Sequence, residues 1–84
     1  MIAFEESAWE DYLYFKNSDK KLSKKIDTLI KEILREPFSG IGKPEKLKEN
    51  LSEYYSRRIN QEHRLVYKYE DGILYIAACR FHYK

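Results

Sequence analysis

The residues with reactive side chains gather in the second half of the chain. Glu45 lies beside Lys46 and Lys48, Arg57 and Arg58 are adjacent, Arg64 follows, and Arg80, His82 and Tyr83 crowd the last stretch. A carboxylate, several guanidinium groups and an imidazole are what transfer of a phosphodiester to a neighbouring ribose hydroxyl requires. The 2′-OH must lose a proton as it attacks phosphorus. The phosphorane-like transition state gathers negative charge. The departing 5′-oxygen must gain a proton. Glu45 is a candidate base, a role in which a carboxylate works best when its pKa lies nearer neutrality than the free value of about 4.3. Arg64 and Lys48 can stabilise the growing charge, the arginine in bidentate fashion. His82 is a candidate acid, since free imidazole titrates near pH ~6.5. A tyrosine such as Tyr83 can stack on an unpaired base.

The elements that must hold these groups are legible in outline. Strand alternation places Arg80 and His82 on one face of a last strand running from Ile73 to Tyr83, with Cys79, Phe81 and Tyr83 on the other. Arg64, Val66 and Lys68 share a face of the strand before it. Arg57 and Arg58 point to opposite faces, so at most one joins a given site. A cleft lined by Arg58 or Arg57, Arg64, Arg80 and His82 follows, to which the preceding loop would add Glu45, Lys46 and Lys48. The same residues are also compatible with a solvated surface, Glu45 with a lysine ion pair, and His82 with a capping role near a chain end.

Upstream, Met1 to Phe4 reads as a short strand. Ser7-Ala8-Trp9-Glu10 has capping-box spacing and opens a helix to about Lys16, with Trp9, Tyr12 and Leu13 expected in the core. Asn17-Ser18-Asp19 offers a cap for a second helix. There Leu22, Ile26, Leu29, Ile30, Ile33 and Leu34 form one apolar stripe and the lysines lie mostly off it. Pro37 ends that helix near Glu36. Residues 36–51 hold both prolines and two of the three glycines, which predicts a shaped loop. Strands from Tyr54 to Ile59 and from Arg64 to Tyr69 follow, and Asp71-Gly72 turns the chain into the last strand. The expected fold is α+β, with two N-terminal helices packed on one face of a mainly antiparallel twisted sheet.

With 84 residues the chain is expected to be a single domain spanning 1–84. One cysteine, Cys79, excludes an intrachain disulfide and reads as a small buried hydrophobe. With only two histidines beside it, neither a metal site nor a cofactor is expected. No secretory leader or membrane span is expected, so the chain reads as cytoplasmic. Residues 20–48 carry nine bases against four acids, while residues 1–19 carry one base against five acids. That basic middle suits an anionic polymer or an acidic protein segment.

Several stretches taken together resemble one family. They are Trp9 to Tyr14, Gly42-Lys43-Pro44-Glu45, Ser56-Arg57-Arg58-Ile59, Glu62 to Tyr67 and Ala77 to Tyr83. In this order and spacing they resemble the Txe/YoeB toxins, a branch of the RelE-like mRNA interferases, over nearly the whole chain. The resemblance implies a toxin of a bacterial type II toxin–antitoxin system with a RelE-like fold. It implies metal-independent cleavage of mRNA in the ribosomal A site of the 30S subunit, leaving a 2′,3′-cyclic phosphate and a 5′-OH. On the family pattern Glu45 falls on the general base, Arg64 on the transition-state arginine, and His82 and Tyr83 on the catalytic pair. Lys48 and Arg58 fall on basic residues that contact phosphate and RNA. The basic second helix would face ribosomal RNA. The implied partners are a YefM-like antitoxin, the ribosome and mRNA, and the pattern also admits a homodimer. One departure is Lys84 after Tyr83, a further cation at the expected site. The alternatives are a catalytically inactive module that binds an antitoxin as co-repressor, and a domain that binds naked nucleic acid.

Overall fold

The computed structural model describes residues 1–48 and 52–81. Strand β1 (Ile2–Phe4) leads into helix α1 (Glu6–Ser18) and then helix α2 (Lys20–Arg35). Strands β2 (Glu45–Lys46), β3 (Tyr55–Arg58), β4 (Arg64–Glu70) and β5 (Ile73–Ala78) follow. They form one five-stranded sheet in the order β1-β5-β4-β3-β2. The β1–β5 pair is parallel and the others antiparallel, so the sheet is mixed but mostly antiparallel, and both helices pack on one face.

Local chemistry explains most of these boundaries. Asp19 caps α2 by accepting from the Leu22 N–H at 3.1 Å. Helix α2 buries Ile26, Leu29, Ile30 and Ile33 against the sheet. It stops at Arg35, just ahead of Pro37. Leu34, expected on the stripe, is exposed because it lies past the edge of the apolar arc. At the β4–β5 turn Asp71 and Gly72 both take left-handed φ, 54° and 76°. That is the geometry of a type I′ hairpin, whose twist matches the strands.

Helix α1 departs from expectation. Ser7 does not cap it; the helix starts at Glu6, with Glu5 as its uncapped first flank. Trp9 and Leu13 lie at the surface, while Ala8 and Phe15, two turns apart, reach the core. Trp9 instead joins a rim cluster with Phe4 and Tyr12, ring centroids 5.2 and 5.5 Å away. Tyr12 ties α1 to α2 by donating to the Asp27 carboxylate at 2.7 Å. That bond, with some burial, pushes the phenol up to about 12.

Strand β5 is also shorter than expected, ending at Ala78 rather than Tyr83. A register irregularity between Val66 and Tyr67 disturbs the β4–β5 ladder, and Phe81 then turns at a φ of 66°. Simple alternation therefore fails over the last residues.

Candidate active site

Two faces of the sheet carry different chemistry. Leu65 and Tyr67 of β4 belong to the core beneath the helices. Arg64, Val66 and Lys68 therefore point away from it. Cross-strand partners share a face, so the register Glu45↔Ser56↔Val66 sets Glu45 on this open side. The next row along is Arg58↔Arg64. Directly opposed Cβ atoms lie ~5 Å apart and diagonal ones ~7–8 Å, within reach of long side chains. Glu45, Arg58 and Arg64 are thus gathered on one sheet face by the pairing of three strands.

Glu45 owes its place to β2, a two-residue strand within what the sequence suggested was loop. Lys46 pairs with Tyr55, whose side chain packs against the core, so Lys46 points to the helix side and does not join Glu45. Lys48 lies beyond the strand and is exposed.

Arg64 is half-buried and held in place. Its Nη1 donates to the main-chain oxygens of Asn60 at 2.7 Å and His63 at 3.0 Å. Both carbonyls belong to the β3–β4 turn, so the turn itself orients the guanidinium, and among the described residues Nε and Nη2 are left for a ligand.

The adjacent arginines separate as alternation requires, and Arg58 is the one that faces the site. Arg57 is 0% exposed. Its Nε donates to the Tyr67 hydroxyl at 3.1 Å, Nη1 to Ile41 O at 3.0 Å, and Nη2 to the oxygens of Glu36 and Ser39 at 2.5 and 2.7 Å. Tyr67 in turn donates to Pro37 O at 2.7 Å. Arg57 therefore holds the loop after α2 and has no surface for phosphate, a correction to its expected role. At the end of that loop Gly42 O accepts from the Arg58 N–H at 2.7 Å, aligning the chain that enters β2.

Arg80 is likewise not in the Arg58–Arg64 row. It turns toward α1, where it meets Asp11 at 3.4 Å and stacks 4.4 Å from the Tyr14 ring and 4.9 Å from Phe81. The early end of β5 is the reason. Cys79 packs under α1, and burial pushes its thiol up to about 12, so it stays protonated and inert. His82 and Tyr83 lie outside the described residues.

Sequence reasoning passed over His63. It is buried, and its Nδ1 accepts from the Phe81 N–H at 2.7 Å. Arg64 N–H donates to Phe81 O at 3.0 Å. Both bonds fix the main chain of the residue from which His82 continues. The signal was a lone histidine in a turn otherwise made of exposed polar residues. Among the described residues no three His, Cys, Asp or Glu side chains gather as a metal cluster would.

A family model described as the YoeB-like toxin of bacterial type II toxin–antitoxin systems matches residues 4–83. The chain belongs to this family. A toxin YoeB of Synechocystis is 64% identical over 83 residues, covering 99% of this chain and 96% of that protein. Among solved structures, the YoeB–YefM complex of Staphylococcus aureus superposes with a TM-score of 0.93 at 56% identity, over 99% of this chain and 97% of the other. A YoeB dimer from the same organism gives 0.92 at 58% identity, over 98% and 95%. The YoeB-like fold thus accounts for the two helices and for the mixed sheet.

Proposed function

We propose that this YoeB-like chain is the toxin of a toxin–antitoxin pair and an endonuclease that cuts mRNA in the ribosomal A site. The observation that carries the reading is the convergence of Glu45, Arg58 and Arg64 on the sheet face turned away from the helices. The anchored backbone of Phe81 supports it, since His82 follows directly in the chain.

In the reaction, Glu45 accepts the proton of the ribose 2′-OH as that oxygen attacks the adjacent phosphorus. Arg64, pre-oriented by two turn carbonyls, faces the charge that builds on the non-bridging oxygens. Arg58 and Lys48 hold the flanking phosphates. The bond to the 5′-oxygen breaks, and His82 supplies the proton that this oxygen takes up. The products are a 2′,3′-cyclic phosphate and a 5′-OH. Tyr83 stacks on a base of the bound codon. The partners are a YefM-like acidic antitoxin, by analogy with the Staphylococcus complex, and a second copy of the chain.

The test is to add the protein to a bacterial translation extract and map mRNA 5′ ends by primer extension. New ends inside A-site codons are expected, absent with Glu45→Ala and absent without ribosomes. A folded protein that binds its antitoxin yet makes no new ends would refute the nuclease and leave an antitoxin-binding co-repressor.

A further inference from the structure

A hollow of about 420 Å³ lies beside the candidate active site, between the start of β2, the β3–β4 turn and helix α2. Lys25, Lys43, Arg58, Asn60 and Gln61 line it, together with Gly42 and Ile59, and no carboxylate does. Its volume falls in the ~300–1,000 Å³ span of small-ligand sites. Among the described residues, none of the three cations forms an ion pair.

The lining is built to donate. Lys25, an exposed residue of α2 immediately before the buried Ile26, lines the hollow. Lys43 sits in a left-handed conformation, φ 51°, directly after Gly42. Asn60 Oδ1 already accepts from the N–H groups of Glu62 and His63, at 2.9 and 2.7 Å. Its amide nitrogen is thereby left as the free end. Three cations and two side-chain amides around an uncharged floor of Gly42 and Ile59 suit a phosphate with its sugar.

The hollow is continuous with the reaction face through two residues. Arg58 lines it and also stands opposite Arg64 in the register. Asn60 lines it and its main-chain oxygen accepts from Arg64. A strand whose reacting phosphate lies at Arg64 would pass its next phosphate to Arg58 and so into the hollow. We infer that the Lys25–Lys43–Arg58 hollow is a second RNA subsite, which takes a phosphodiester flanking the scissile one. The inference rests on the nuclease reading above, and it assigns to Lys25 and Lys43 a part in holding the message.

The variant K25Q/K43Q removes two cations at the surface and leaves the core untouched. It is made in an E45A background, so that binding is read without cleavage. Equilibrium binding to ribosomes carrying a short mRNA in the A site is measured between 50 and 250 mM KCl, with ribosomes lacking mRNA as the second arm. The expected result is binding weakened about tenfold or more at low salt. The slope of log K against log salt should flatten by about 0.7, the value for one single-strand phosphate contact. K16Q, at a cation of α1 that does not line the hollow, serves as control. A loss confined to mRNA-bearing ribosomes assigns the phosphate to the message; an equal loss on both assigns it to ribosomal RNA and overturns the inference. Unchanged affinity and slope would overturn the inference. So would normal ribosome binding with weakened capture of the antitoxin, which would make the hollow a protein site. Cleavage by the protein with Glu45 intact is scored on the same ribosomes. If it cuts while K25Q/K43Q binds normally, only the subsite fails; if it does not cut, the nuclease reading fails.

Discussion

Replacing Arg57 by methionine should damage this protein more than any exposed substitution. Methionine keeps much of the stem but none of the donors. Three main-chain oxygens, of Glu36, Ser39 and Ile41, would lose a charged donor, and the Tyr67 hydroxyl would lose one as well. Hydrogen bonds to a charged group contribute ~1.5–3 kcal/mol each. All four bonds give an upper bound of roughly 6–12 kcal/mol. The loop can open and return its carbonyls to water, so the net loss should be about 3–4 kcal/mol, in line with breaking other buried polar clusters. A chain of 84 residues has a total stability of only ~4–13 kcal/mol. Urea unfolding of Arg57→Met should therefore show a much lower midpoint. Native-state hydrogen exchange should show the Arg58 amide, bonded to Gly42 O, opening well before the core. Lys24→Met, on the exposed side of α2, is the control. A loss under 1 kcal/mol, with the Arg58 amide still protected, would refute the view that this arginine holds the loop that delivers Glu45.

Other outcomes follow from named contacts. Gly42→Ala should cost about 1–3 kcal/mol in thermal unfolding, because φ is 83° and a Cβ would meet Leu29 at 3.0 Å and Arg57 at 3.1 Å. His63→Phe keeps a ring between Phe15 and Phe81 but removes the acceptor of the Phe81 N–H, so cleavage should fall sharply while stability drops by only about 1 kcal/mol; equal cleavage by variant and parent would count against His63 as a positioning residue. Burial raises the Cys79 thiol from 9.0 to about 12, so the folded state holds that proton where the unfolded chain releases it. Stability from this group is complete below about pH 9 and is lost as pH rises toward 12. Urea midpoints should decline over that window, less steeply in Cys79→Ala; identical slopes would exclude the thiol as the source.

Features written in short-range chemistry were legible in the sequence. The α2 stripe, the Asp19 cap and the Asp71-Gly72 turn each depend on residues within a turn or two of one another. Alternation also separated Arg57 from Arg58 correctly. It did not say which one goes inside, because the acceptors that make a buried arginine tolerable lie on a loop 16 to 21 residues away. The same limit hid β2, whose two residues form a strand only because β3 supplies partners. Helix α1 misled for another reason. Trp9, Tyr12, Leu13, Tyr14 and Phe15 surround the helix with large apolar groups, so periodicity selects no single face, and the sheet takes Ala8 and Phe15. Alternation through Arg80 failed because β5 ends at Ala78, and Phe81 then turns away from strand geometry.

The parallel pairing of β1 with β5 joins the first strand in the chain to the last. Strand β5 fills the gap between β1 and β4, so until Ile73–Ala78 are in place β1 has no neighbour in the sheet and β4 offers a bare edge. Closing contacts over so long a stretch of chain is slow compared with forming a helix or a hairpin. A polypeptide still under synthesis therefore lacks the finished sheet and the Phe81 anchor to His63 until residues 73–81 emerge. Assembly of the site is timed by topology to follow the emergence of β5 and Phe81.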